Sequence, residues 1–174
     1  MRKTLFESLV GRPFTEKLPL PLDAEIQRMA QALDAQAQRR LGRSLSIRLV
    51  DAGSCNACEM ELNALGNPFY DLERFGLRFV ASPRHADVLM VTGPVATNMR
   101  EALLRTYNAM PAPKWVVAVG DCATCGGMFA ESYACDGGAA AVLPVDMNIS
   151  GCPPPPARLL EGLLALLSAP LNGT

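Results

Sequence analysis

A chain of 174 residues that is 49% hydrophobic has the length and apolar content for one sizeable core and too little length for two. Its formal net charge of −1 and pI of about 5.8 exclude the basic footprint of a nucleic-acid binder. It has no uninterrupted apolar run long enough to span a bilayer and no N-terminal apolar stretch with a small-residue cleavage site, so a soluble, cytoplasmic chain is expected.

Residues 1–22 carry Pro13, Pro19 and Pro21 without sustained periodicity, which predicts an extended arm of the kind that docks on a partner. From Asp23, a helix-capping residue type, apolar positions recur at Ile26, Met29, Ala30, Leu33, Ala37 and Leu41 and stop at Gly42. That is the spacing of an amphipathic helix. Arm and helix, residues 1–44, are expected to lie outside the main fold, with the helix packed either on the domain's own surface or on a partner subunit. Residues 45–170 are expected to form the main domain.

Ser46 to Val50 has strand composition, and Asp51-Ala-Gly-Ser opens the turn that carries Cys55 and Cys58. Met60 to Leu65 reads as a short helix closed by Gly66-Asn67-Pro68. Apolar runs over Leu77 to Val80 and Val88 to Val91 suit a buried parallel sheet, the second ending in a Thr92-Gly93-Pro94 loop. Asn98 and Glu101 have the spacing of a capping box, and Met99, Ala102, Leu103, Thr106, Tyr107 and Met110 mark one face of the helix that follows. Trp115 to Val119 is a further strand running into Gly120-Asp121-Cys122, and Ala139 to Leu143 is expected as another before Gly151-Cys152. Ala157, Leu160, Leu163, Leu164 and Leu167 define an apolar last helix, too short to cross a membrane, with Pro170 beyond it. Strands alternating with helices in this way predict an open α/β sheet with parallel strands, whose ligands sit outside the strands' carboxyl ends. The cysteine motifs fall in loops of that kind.

Three disulfides would suit a small secreted scaffold, which the alternating apolar segments do not resemble. Cys55-Asn-Ala-Cys58, Cys122 in Gly-Asp-Cys-Ala and Cys152 in Gly-Cys-Pro-Pro instead supply four thiolates, the set a 4Fe–4S cube takes. A C-x-x-C pair lets one turn reach two irons. Zinc also takes four thiolates, usually from two close pairs. Cys125 stands three residues after Cys122, so Cys55, Cys58, Cys122 and Cys125 form the rival set; otherwise Cys125 and Cys135 read as inert thiols.

Gly53, Gly120, Gly126, Gly127 and Gly151 are either positions where backbone N–H groups approach a cluster or ordinary turn glycines. Pro153 to Pro156 reads as a brace for Cys152 rather than a polyproline ligand. Glu59 and Glu61 beside Cys58 point to the site or a subunit contact, or form a solvated pair at a helix start. His85, the only histidine, and the tract Asp71 to Gly76 are expected at the surface.

Taken together, Gly53-Ser-Cys55-Asn-Ala-Cys58-Glu-Met-Glu61, Asn67-Pro-Phe-Tyr-Asp-Leu-Glu-Arg-Phe-Gly76, Ser82-Pro-Arg-His-Ala-Asp87, Val91-Thr-Gly-Pro94, Gly120-Asp-Cys122 and Gly151-Cys152-Pro-Pro resemble the 20 kDa subunit family of NADH:quinone oxidoreductase and the related small subunits of membrane-bound NiFe hydrogenases. The resemblance covers roughly residues 45–168. It implies a flavodoxin-like fold and one 4Fe–4S cluster held by Cys55, Cys58, Cys122 and Cys152, which passes electrons to or from a large subunit.

Complex I-type members have two adjacent cysteines in the first motif, whereas hydrogenase types have C-x-x-C, usually with Gly before the second cysteine. Ala57 stands there in this chain, which sides with the hydrogenase-4 and formate hydrogenlyase type while departing from its commonest form. The resemblance further implies an oxidoreductase subunit without catalytic residues of its own. Its expected partners are a large hydrogenase-like or complex I-like catalytic subunit, a ferredoxin-like iron–sulfur subunit and membrane subunits, at the cytoplasmic face of the membrane. A cluster-bearing subunit of a quinone-reducing complex and a zinc-stabilised, non-redox scaffold are the two alternatives.

Overall fold

The computed structural model describes residues 24–169, so the predicted arm over residues 1–22, and Asp23 as a helix cap, lie outside the described residues. Helix α1 (Ala24–Leu41) is followed by β1 (Leu45–Asp51), α2 (Ala57–Ala64), β2 (Leu77–Phe79), β3 (Val88–Thr92), α3 (Arg100–Ala109), β4 (Trp115–Val119), the short α4 (Gly120–Cys125), β5 (Met147–Ile149) and α5 (Pro156–Ser168). Among the described residues the strands form one sheet in the order β2-β1-β3-β4-β5, with every pairing parallel. This is the doubly wound, flavodoxin-like order, in which the connections leave in opposite directions on either side of β1 and β3.

Alternation along the central strands explains how both faces are covered. In β3, Val88 and Met90 join the core beneath α1, α2 and α5, while Leu89 and Val91 join the core on the other side. In β4, Val117 and Val119 face the first core, and Val116 and Ala118 the second. A strand buried on both faces reads as a continuous apolar run, which is why these two were legible as strands.

Helix α1 is present as the periodicity predicts, and its stripe lies on the domain itself. Ala30, Leu33 and Ala37 are buried and share a core with Leu159, Leu163 and Leu167 of α5. Small residues at Ala30 and Ala37 let the two helices approach closely. Arg40 fastens the end of this contact by donating to the Leu166 carbonyl at 3.3 Å and to the Ala169 carbonyl. A cation placed there also meets the negative end of α5.

At the amino-terminal end of the sheet, Asp87 is buried and takes both guanidinium nitrogens of Arg43, at 2.6 and 3.0 Å, together with the Ser46 N–H at 3.0 Å. The lower end of the sheet is thus tied by a satisfied buried carboxylate. The opposite, carboxyl edge is left to the cysteine loops.

Three local expectations differ from the structure. Ala139–Ala141 is a 3-10 turn, and the strand lies later, at Met147–Ile149. Helix α2 starts at Ala57 rather than Met60, so Cys58 sits in its first turn. The capping box at Asn98 does not form: Met99 occupies the cap position without a side-chain bond, and Glu101 pairs with Arg105 at 2.7 Å.

Candidate metal centre

Each cysteine motif leaves a strand at its carboxyl end. The first loop, after β1, is shaped by Asp51, whose Oδ1 accepts from the N–H groups of Gly53 at 2.9 Å and Ser54 at 2.7 Å. Ser54 Oγ accepts in turn from Asn56 N–H at 3.0 Å. These local turns deliver Cys55 exposed and Cys58 half-buried in α2. The neighbouring loop after β3 presses against this turn, since a Cβ on Gly93 would fall 2.6 Å from Ser54 N.

The second loop turns directly out of β4. Gly120 has φ +87°, and a Cβ there would fall 2.6 Å from Cys58 Sγ and 3.4 Å from the Gly151 carbonyl oxygen. Glycine is what lets the three motifs close on one another. Cys122 follows on α4, half-buried, and the chain then folds back over it. A Cβ on Gly127 would lie 2.9 Å from Cys122 Sγ, and the Met128 backbone N–H beside that thiol favours its charged form. Gly126 takes a left-handed conformation to make this return, and its N–H donates to the Cys122 carbonyl at 2.8 Å.

The third loop, after β5, is joined to the second by two bonds. Asp121 N–H donates to the Gly151 carbonyl at 2.9 Å, and Gly151 N–H donates to Asp121 Oδ1 at 2.8 Å. Exposed Cys152 follows, with Pro154 and Pro156 buried behind it and Pro156 opening α5. The proline run therefore packs as a brace at the start of a helix.

These loops bring Cys55, Cys58, Cys122 and Cys152 within electrostatic reach of one another. Cys58 is pushed up to about 12, first by burial and then by the charges of Glu59, Cys55, Cys122 and Cys152. Cys122 is raised first by burial and then by Cys152 and Cys55, with the Met128 N–H acting the other way. Four thiolates so placed repel, and a cationic centre among them would reverse the sign of that interaction. Thiol chemistry and the glycines beside two of the sulfurs fit an iron–sulfur group. Among the described residues no three His, Cys, Asp or Glu side chains are grouped so as to hold a single metal ion.

The remaining candidates are placed as follows. Cys125 is exposed on α4, its thiol donating to the Asp121 carbonyl at 3.3 Å, and Cys135 is half-buried opposite Ala96. His85 is exposed in the turn before β3, at the far end of the sheet. Asp71 and Arg74 form an exposed pair at 3.6 Å, but Leu72 in the same tract is buried in the core and Phe75 packs against it, so the surface expectation holds only for the charged residues. Glu61 is half-buried, but Glu59 is buried with no hydrogen-bond partner for either carboxylate oxygen. Sequence reading left Glu59 undecided and passed over Asp121. The acidic turn at Asp51 carries a local signature, Asp-x-Gly-Ser, whereas Asp121 acts on a residue far along the chain.

A parallel, doubly wound domain with cysteine loops at its carboxyl edge is the fold class seen here. The chain is a member of the NADH ubiquinone oxidoreductase 20 kDa subunit family, whose sequence model matches residues 55–166. It is 38% identical over 160 residues to formate hydrogenlyase subunit 7 of Escherichia coli (strain K12), covering 92% of this chain and 62% of that protein. The chain thus spans under two thirds of that relative's length. It is 44% identical over 133 residues to the probable membrane-bound hydrogenase subunit mbhJ of Pyrococcus furiosus, covering 76% of this chain and 80% of that one. Among solved structures, a chain of the membrane-bound sulfane sulfur reductase, an archaeal respiratory membrane complex, superposes with a TM-score of 0.64 at 31% identity, covering 79% of this chain and 73% of that one. No described helix is long and apolar enough to cross a membrane.

Proposed function

We propose that this chain is the electron-transfer subunit of a membrane-associated, NiFe-hydrogenase-like complex of the hydrogenase-4 or formate hydrogenlyase type, and that it holds one 4Fe–4S cluster through Cys55, Cys58, Cys122 and Cys152. The observation that carries this reading is the convergence of three strand-end cysteine loops: a Cβ at Gly120 would fall 2.6 Å from Cys58 Sγ and 3.4 Å from the Gly151 carbonyl oxygen, and Gly151, next to Cys152, is bonded to Asp121, next to Cys122. A bound cluster supplies one-electron transfer. The protein's own part is to hold it, to place the Met128 backbone N–H beside Cys122, and to set the charge and solvent exposure around it.

Cluster rather than zinc is supported by the family and by the cysteine pattern, one C-x-x-C pair with two cysteines standing alone where zinc sites usually present two close pairs. Chemistry on a partner is supported by the names of the similar proteins: two are hydrogenase or hydrogenlyase subunits and one belongs to a sulfane sulfur reductase. A relay can serve either. Met60, Met128, Phe129 and Tyr133 beside the cysteine motifs are exposed, as suits a face that a large subunit covers. A ferredoxin-like subunit and membrane subunits complete the assembly, which places this chain peripherally at the cytoplasmic face.

Anaerobic reconstitution tests the reading. The chain should take up about four irons with matching sulfide and show broad visible thiolate-to-iron absorption. Stoichiometric zinc without that band overturns it.

A further inference from the structure

We propose that Asp121 is a positioning residue that locks the Cys122 and Cys152 loops in register, and that its charge holds down the reduction potential of the group they bind. The proposal rests on the cluster reading above and adds a residue to it. Asp121 and Gly151 each immediately precede a cysteine of the site, and they bond reciprocally, main chain to main chain at 2.9 Å and Gly151 N–H to carboxylate at 2.8 Å. Two bonds between the same pair fix both separation and orientation, which one bond would leave free to swing. Among the described residues no other hydrogen bond joins the loop after β5 to the loop after β4: the pairing of Val117 to Val119 with Met147 to Ile149 and the two bonds between Val116 and Asp146 all lie below the cysteines.

The carboxylate is adjacent in sequence to Cys122 and held by the Gly151 N–H, adjacent to Cys152, at 2.8 Å, so a negative cluster on those thiolates would feel its repulsion. An amide in its place would still accept the Gly151 N–H through its carbonyl oxygen, as a weaker, neutral acceptor. The charge is therefore separable from the clasp. An anion beside a redox group disfavours its reduced, more negative form, so it lowers the potential.

Asp121→Asn and Asp121→Ala in the full chain separate the two roles. In the iron-free protein, the Gly151 amide should exchange with solvent about tenfold faster or more in Asp121→Ala, the loss of a hydrogen bond to a charged acceptor. Asp121→Asn should keep most of the protection. After anaerobic reconstitution, Asp121→Ala should bind less iron or give an altered EPR spectrum, while Asp121→Asn should bind iron normally and titrate at a higher potential than the wild type. Wild-type protection and iron content in Asp121→Ala, or iron loss in Asp121→Asn as deep as in Asp121→Ala, overturn the clasp. An unchanged or lower potential in Asp121→Asn overturns the electrostatic role. Wild-type protein that takes zinc instead of iron defeats the cluster reading, and the exchange measurement still decides the clasp.

Discussion

The absent side chain of Gly120 is filled by the sulfur of Cys58: a Cβ at Gly120 would sit 2.6 Å from Cys58 Sγ, on a backbone whose φ of +87° already favours glycine. Gly120→Ala should therefore push the first cysteine motif away from the other two and strain the turn, at about 1 kcal/mol or more for the backbone alone. Iron uptake on reconstitution should fall well below that of the wild type, with circular dichroism showing the sheet intact. Full iron content in this variant would show that the three motifs do not meet where the structure brings them.

Serine at Cys55, Cys58, Cys122 or Cys152 should abolish or convert the cluster, because a hydroxyl does not replace a thiolate on iron. Serine at Cys125 or Cys135 should leave iron content near normal. The Cys125 thiol is occupied with the Asp121 carbonyl. Iron analysis across the six variants decides the ligand set, and loss in Cys125→Ser with retention in Cys152→Ser would transfer the fourth ligand to Cys125.

The iron-free chain should lose stability in alkali. Cys58 is raised from 9.0 to about 12, so above pH 9.0 the unfolded thiol releases a proton that the folded one keeps. Proton binding then favours the folded state less with each step upward, and stability should decline between pH 9.0 and about 12 while this thiol has no effect below that window. Urea titrations at several pH values measure it. Glu59→Gln removes the largest charge acting on Cys58, so the Cys58 thiol should react with iodoacetamide at lower pH and the decline should be shallower.

Leu33 on α1 is 1% exposed and part of the core beneath the sheet. Leu33→Ala should cost about 2–5 kcal/mol of stability in the iron-free chain, read from the urea midpoint. A helix that merely rests on a partner would show no such loss. The outcome also decides whether residues 24–41 stand as a separate unit or fold with residues 45–170.

Much of this was legible because the signals are local. Val88 to Val91 and Trp115 to Val119 are apolar without a break, and the glycine–cysteine motifs follow strands directly, so the sheet and the edge that carries the cysteine loops could be placed from sequence. Met147 to Ile149 escaped notice since an edge strand of three residues with exposed Asn148 in its middle has no apolar run to announce it. Ala139 to Leu143 looked like a strand through composition, but Gly137 and Gly138 lead it into a tight turn. The Asp121–Gly151 pair has no local signature, because what it joins is decided by the pairing of β4 with β5.

That pairing also sets an order of events. Cys55 and Cys58 are delivered by β1, an interior strand, but Cys152 arrives only when β5 has docked at the sheet's edge. Contacts so distant along the chain form late. A chain still lacking its edge strand presents three of the four thiols, so under the proposed cluster assignment iron and sulfide would load only a domain that has finished folding, and loading would act as an inspection of it.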